Sequence, residues 1–82
     1  MRHDITYILR RDGETLSTHN TVCLGYFTEN ATAQAMAGAK RRPMFRYATD
    51  VLIHVYPQSG QVSTTLWSLA RTPDPLPPKV FV

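Results

Sequence analysis

Residues 39–47, AKRRPMFRY, place four cations and two aromatics within nine positions. Guanidinium groups match the geometry of phosphate and carboxylate oxygens, while aromatic rings stack on bases or anchor protein interfaces. Lys40, Arg41, Arg42 and Arg46, joined by Arg10 and Arg11, therefore suggest a face for a phosphate-bearing or protein partner. Tyr47, Tyr56 and Trp67 are its candidate anchors. The same stretch also has a plainer explanation. Cations complement the negative end of a helix macrodipole, and the residue before Pro43 is pushed out of the α region. Met44, Phe45 and Tyr47 can then fill core at the connection that follows.

Other chemistry is sparse. Cys23 could form a thiolate–imidazole couple with His19 or His54. It lies in an apolar, β-rich segment, however, where a small buried thiol is expected. Asp50 and His54 are four apart on a strand and share a face, a spacing that serves an oriented imidazole or a cross-strand hydrogen bond equally well. His3 and Asp4 read as solvated surface. The carboxylates Asp4, Asp12, Glu14, Glu29, Asp50 and Asp74 are scattered, with no close pair for acid–base work. No HExxH, P-loop, GxGxxG or GxSxG pattern occurs. His3, His19 and His54 are too far apart to anchor a metal site. The expectation is a protein with no catalytic activity, cofactor or metal.

Bulk properties narrow the class. A chain of 82 residues holds one core, and a domain of that size buries only about 60% of its unfolded surface. Small domains often lean on disulfides, a metal or a partner. The single cysteine rules out an intrachain disulfide and a four-cysteine zinc site, so oligomerisation or docking gains weight. Hydrophobic content of 43% with 18% charged residues describes a globular chain. No apolar run is long enough to span a bilayer, and MRHDITYILRR has no signal-peptide core, which makes the cytoplasm the expected compartment. The net charge of +3 favours anionic partners without requiring one.

The elements that must position these residues follow from periodicity. Ile5, Tyr7 and Leu9 alternate with Thr6, Ile8 and Arg10, and residues 21–27 are again β-rich, with Val22, Leu24 and Tyr26 sharing a face. Asp12-Gly13 between them suits a type I′ turn, so 3–11 and 14–27 read as a hairpin, with STHN (17–20) as a bulge or loop. TENATAQAMAGAKRR reads as a helix capped by Thr28 or Asn30, with Thr32, Ala35, Met36 and Ala39 on its buried stripe and Pro43 as its stop. Val51, Ile53 and Val55 alternate with Leu52, His54 and Tyr56. Both sets are largely apolar, which suits a central strand whose second face is also covered, by this chain or by a partner. YPQSGQ is a turn, and Val62, Thr64 and Leu66 then alternate with Ser63, Thr65 and Trp67. The resulting fold class is α+β, in the order ββαββ, with a four-stranded antiparallel sheet and one helix packed on it.

Residues 1–70 form the domain in this reading, and 71–82 form an extended, PPII-like tail containing four of the six prolines. Pro75 and Pro78 have the PxxP spacing of ligands for aromatic grooves, with Arg71 one position away from the usual flanking cation. Val80, Phe81 and Val82 are apolar and are expected to dock on this sheet, a second copy or another protein.

As an architecture, the RRDGE hairpin, the ATAQAMAGAKRR helix and the VLIHVYPQSGQVSTTLWSLA hairpin together resemble the small inhibitors of the anti-CRISPR type that phages and mobile elements encode. The resemblance covers the whole chain as a layout and carries no family-specific motif. It implies steric blocking of a host protein or nucleoprotein complex in the host cytoplasm, without chemistry. Many such inhibitors imitate DNA with acidic surfaces, whereas this chain is basic, which points to protein or guide-RNA surfaces. The alternative from the same cations is a small DNA- or RNA-binding regulator. A homodimer that seals an open sheet edge is a third possibility.

Overall fold

The computed structural model describes residues 1–78. Strands β1 (Arg2–Arg11) and β2 (Glu14–Leu24) form the first hairpin. Its turn has φ of 50° at Asp12 and 85° at Gly13, both in the left-handed region that a type I′ turn needs. Helix α1 (Thr28–Lys40) follows, then a 3-10 turn over Pro43–Tyr47, then β3 (Asp50–Pro57) and β4 (Ser63–Ser68). The strands make one antiparallel sheet in the order β2-β1-β3-β4, so the expected ββαββ fold is the observed one.

The helix lies on one face of the sheet, over β1, β3 and β2. From the sheet Ile5, Tyr7, Leu9, Val51, Ile53 and Val55 are buried, and Ala31, Ala35, Met36 and Ala39 meet them from α1. Alanines on the buried stripe let the helix approach closely. Gly38 extends this logic, because a Cβ there would lie 3.1 Å from Tyr7 Oη.

Four local readings change. STHN is continuous strand, and the irregularity falls just before it: Arg10 faces Thr15 and Leu9 faces Ser17, leaving Leu16 as a β-bulge residue. β2 ends at Leu24 rather than running to residue 27, and Tyr26 and Phe27 are exposed in the connection. Neither Thr28 nor Asn30 caps α1. Phe27 holds the N-cap position with no side-chain bond, and Ala31 rather than Thr32 completes the buried stripe. Finally, His3 is buried, because it sits on the covered face of β1 between Cys23 and Pro57. Its Nδ1 has no hydrogen-bond partner among the described residues.

At the other end of α1 the reading holds. Arg42 is extended, with ψ of 138°, as a residue before proline should be, and Pro43 opens the 3-10 turn. Met44 and Phe45 pack against the core. Residues 69–78 form no helix or strand, yet they are tied down: Leu69 N–H donates to Thr49 O at 3.0 Å and Asp74 N–H to Arg46 O at 2.9 Å. The expected docking of Val80, Phe81 and Val82 lies outside the described residues. No described helix is long and apolar enough to cross a membrane.

Candidate functional site

The cations from the sequence fall into two groups with different surroundings. Arg10 lies on the uncovered sheet face, where its Nε donates to Asp50 Oδ1 at 2.9 Å. Arg11 Nη1 donates to the carbonyls of Tyr47, at 3.0 Å, and Asp74, at 2.6 Å, which joins the tail to the 3-10 turn. Arg46 Nε donates to Asp74 Oδ2 at 2.9 Å, and its guanidinium lies 5.5 Å from the Tyr47 ring centroid. That hydrogen bond favours the charged guanidinium and raises its pKa. These three arginines hold the molecule together.

Lys40, Arg41 and Arg42 are different. All three are exposed at the end of α1, and none forms an ion pair among the described residues. Arg42 Nε donates to Tyr7 Oη at 3.0 Å, and its guanidinium lies 5.8 Å from that ring's centroid. Tyr7 also packs against His19, at 5.2 Å between centroids, and His19 Nε2 meets Ser17 Oγ at 2.9 Å. Burial and then the charge of Arg42 push the His19 pKa below its ordinary value. The sequence offered no way to pair Tyr7 with His19, because that pairing depends on the bulge at Leu16.

The aromatic anchors do not converge. Tyr56 stands exposed on the uncovered sheet face, while Trp67, in register with buried Val51, stands on the helix side. Because α1 leaves β4 bare, Trp67 lines a groove of about 380 Å³ with Thr28, Glu29 and Thr32. Tyr47 is half-buried near the tail.

The uncovered face is itself a candidate surface. Ile8, Leu52 and Leu66 lie in register across β1, β3 and β4, while Val22 and Tyr56 lie further along the same face, on either side of Asp4. On this face Leu66 is 56% exposed, Tyr56 44% and Val22 40%, while Ile8 and Leu52 are half-buried. Its charges cancel locally: Arg2 pairs with Asp4 at 3.1 Å, and Arg10 with Asp50. Between them runs a polar row in which Thr6 Oγ1 donates to Asn20 Oδ1 at 2.8 Å and His54 Nδ1 meets Thr64 Oγ1 at 3.0 Å. His54 therefore makes a cross-strand bond and Asp50 an ion pair, so the two do not form an oriented couple. Of this face, the sequence had shown only the apolar second side of β3.

Cys23 is a free thiol buried on the helix side. Among the described residues no group of three His, Cys, Asp or Glu could hold a metal. No protein-family model, curated protein or solved structure matches the chain.

Proposed function

We propose that this chain is a non-enzymatic binding module that docks a larger protein, or the protein surface of a nucleoprotein assembly, through the uncovered face of its sheet. The carrying observation is that face: an apolar row, Ile8–Leu52–Leu66, with exposed Tyr56 and Val22 further along it beyond a polar row, and with its ions paired off. Removing such a row from water yields roughly 25 cal/mol per Å², and an exposed aromatic such as Tyr56 is a common interface anchor. Four strands ~4.8 Å apart, with residues rising ~3.3 Å each, give a surface of about 500 Å², approaching one side of a standard interface. Its more specific form, a phage- or mobile-element-encoded inhibitor of the anti-CRISPR type acting by steric block, rests on architectural resemblance.

A second reading, a regulator that contacts nucleic-acid phosphates, draws on Lys40, Arg41 and Arg42, which have no carboxylate partner. Salt separates the two, since phosphate contacts on duplex DNA weaken binding with a log–log slope of about −0.9 per contact. The test is capture from a host-like lysate, with and without nuclease, by wild type, Tyr56→Ala/Leu66→Glu and Arg41→Glu/Arg42→Glu, each checked for folding by circular dichroism. A nuclease-resistant protein complex lost only in Tyr56→Ala/Leu66→Glu is the expected result. Nucleic acid recovered alone, and lost in Arg41→Glu/Arg42→Glu, overturns it. So does a face that only self-associates, seen as a mass that rises with concentration.

A further inference from the structure

Docking through the sheet face leaves the cleft between β2 and the end of α1 without a role. It is about 520 Å³, within the size range of small-ligand sites, and none of its lining residues is acidic. What it offers a ligand is mostly hydrogen-bond donors. Arg42 is fixed through Nε against Tyr7 Oη, and its two Nη groups have no partner among the described residues. Arg41, also lining the cleft, is exposed and makes no side-chain hydrogen bond among those residues. The Tyr7 hydroxyl accepts from Arg42, and its own proton finds no acceptor there. Asn20 has turned its side chain to the other face, towards Thr6, so it lines the cleft with backbone. Gln34 Nε2 bonds the Val22 carbonyl at 2.8 Å, which marks the backbone polar groups of Val22 as facing the free edge of β2. Strand alternation then points the N–H of Asn20 the same way.

Acceptors are few. The carbonyls of Gly38 and Ala39 already accept from the N–H groups of Arg41 and Arg42, at 3.1 and 3.0 Å. The negative end of the α1 macrodipole opposes an anion here, since Ala37 and Gly38 of the last turn line the cleft, but it amounts to roughly half a charge against two guanidinium forks. Two forks, a phenol and an edge N–H are more donors than the two oxygens of a carboxylate can use. They suit the three terminal oxygens of a phosphate monoester. We infer that this cleft binds the phosphoryl group of a small organic phosphate, with Arg42, held by Tyr7, as the fixed donor and Arg41 closing over it.

His19 reports on the site. It packs on Tyr7, beside Ser17 of its own strand, and the charge of Arg42 helps hold its pKa down. A bound phosphate offsets that charge, so the His19 pKa rises on binding. The experiment is an NMR titration of the folded chain with inorganic phosphate and then a nucleoside monophosphate, read at the His19 ring and compared with chloride at equal ionic strength. Arg42→Gln, Arg41→Gln and Lys40→Gln are run beside wild type. Lys40 does not line the cleft, and its substitution removes the same unit of charge. Saturable binding that raises the His19 pKa and weakens roughly tenfold or more in Arg42→Gln, but little in Lys40→Gln, is expected. Arg41 has no structural bond to lose, so Arg41→Gln keeps the test decisive if Arg42→Gln unfolds. Equal weakening in Lys40→Gln and Arg41→Gln, or a response no larger than that to chloride, overturns the inference. Short duplex DNA that binds through the same arginines while free phosphate does not also overturns it.

Discussion

The two faces of this sheet are cut from the same strands, yet they differ in what meets them. On the covered face Leu9, Val51 and Ile53 are fully buried under an alanine-lined helix. On the other, Ile8, Leu52 and Leu66 make a parallel row with no described element above it. β3 supplies both rows from alternate positions, so its near-continuous apolar run encodes two surfaces, of which the described residues cover one. The lesson is about charge as much as burial. The open face neutralises its own ions through Arg10–Asp50 and Arg2–Asp4, while Lys40, Arg41 and Arg42, without an ion pair among the described residues, sit at the end of the helix.

Ile53→Ala should break the covered face, costing about 2–5 kcal/mol in urea unfolding, because the cavity cannot collapse under a packed helix. Leu52→Ala, its neighbour on the half-buried side, should cost about 1 kcal/mol. Equal costs for the two would mean that the open face is covered in solution. On the open face itself, Asp50→Asn should cost about 1–2 kcal/mol, since it leaves part-buried Arg10 without its carboxylate. Asp4→Asn, at an exposed pair, should stay within about 0.5 kcal/mol in the same assay.

A pH series sharpens the contrast at the helix end. The folded-state pKa of His19 is lowered, so the unfolded chain takes up its proton first as pH falls. The stability linked to neutral His19 is therefore complete above the ordinary histidine pKa of about 6.5. It declines as pH falls from there towards the depressed folded value, and the loss levels off below it. Urea melts across this window should show a smaller decline for His19→Gln than for wild type.

Much of the fold was legible because its signals are local. The Asp12-Gly13 turn, the alternation in β1 and β3, the alanine-rich helix and the stop before Pro43 each need only a few neighbouring residues. His3 misled because a polar type next to Asp4 near a terminus looks solvated, whereas its side is set by strand parity with Ile5 and Tyr7. The site was legible in part. Lys40, Arg41 and Arg42 have no carboxylate partner among the described residues, whereas Arg10, Arg11 and Arg46 are bound to Asp50, to carbonyls and to Asp74, partners distant in sequence.

By itself, then, the sequence determined the order ββαββ, the two-sided character of β3 and the cluster of cations where α1 ends. Only the tertiary structure decided which residues of β2 look at the helix. A hairpin continued without irregularity from Asp12-Gly13 would set Tyr7 against Thr18 and turn Val22 inward. The single bulge at Leu16 instead sets Tyr7 against His19, buries Cys23 and turns Val22 out to the open face. Side chains alternate with a period of two, so one extra residue exchanges every position beyond it from one face to the other. No local motif in β2 announces the position of that bulge.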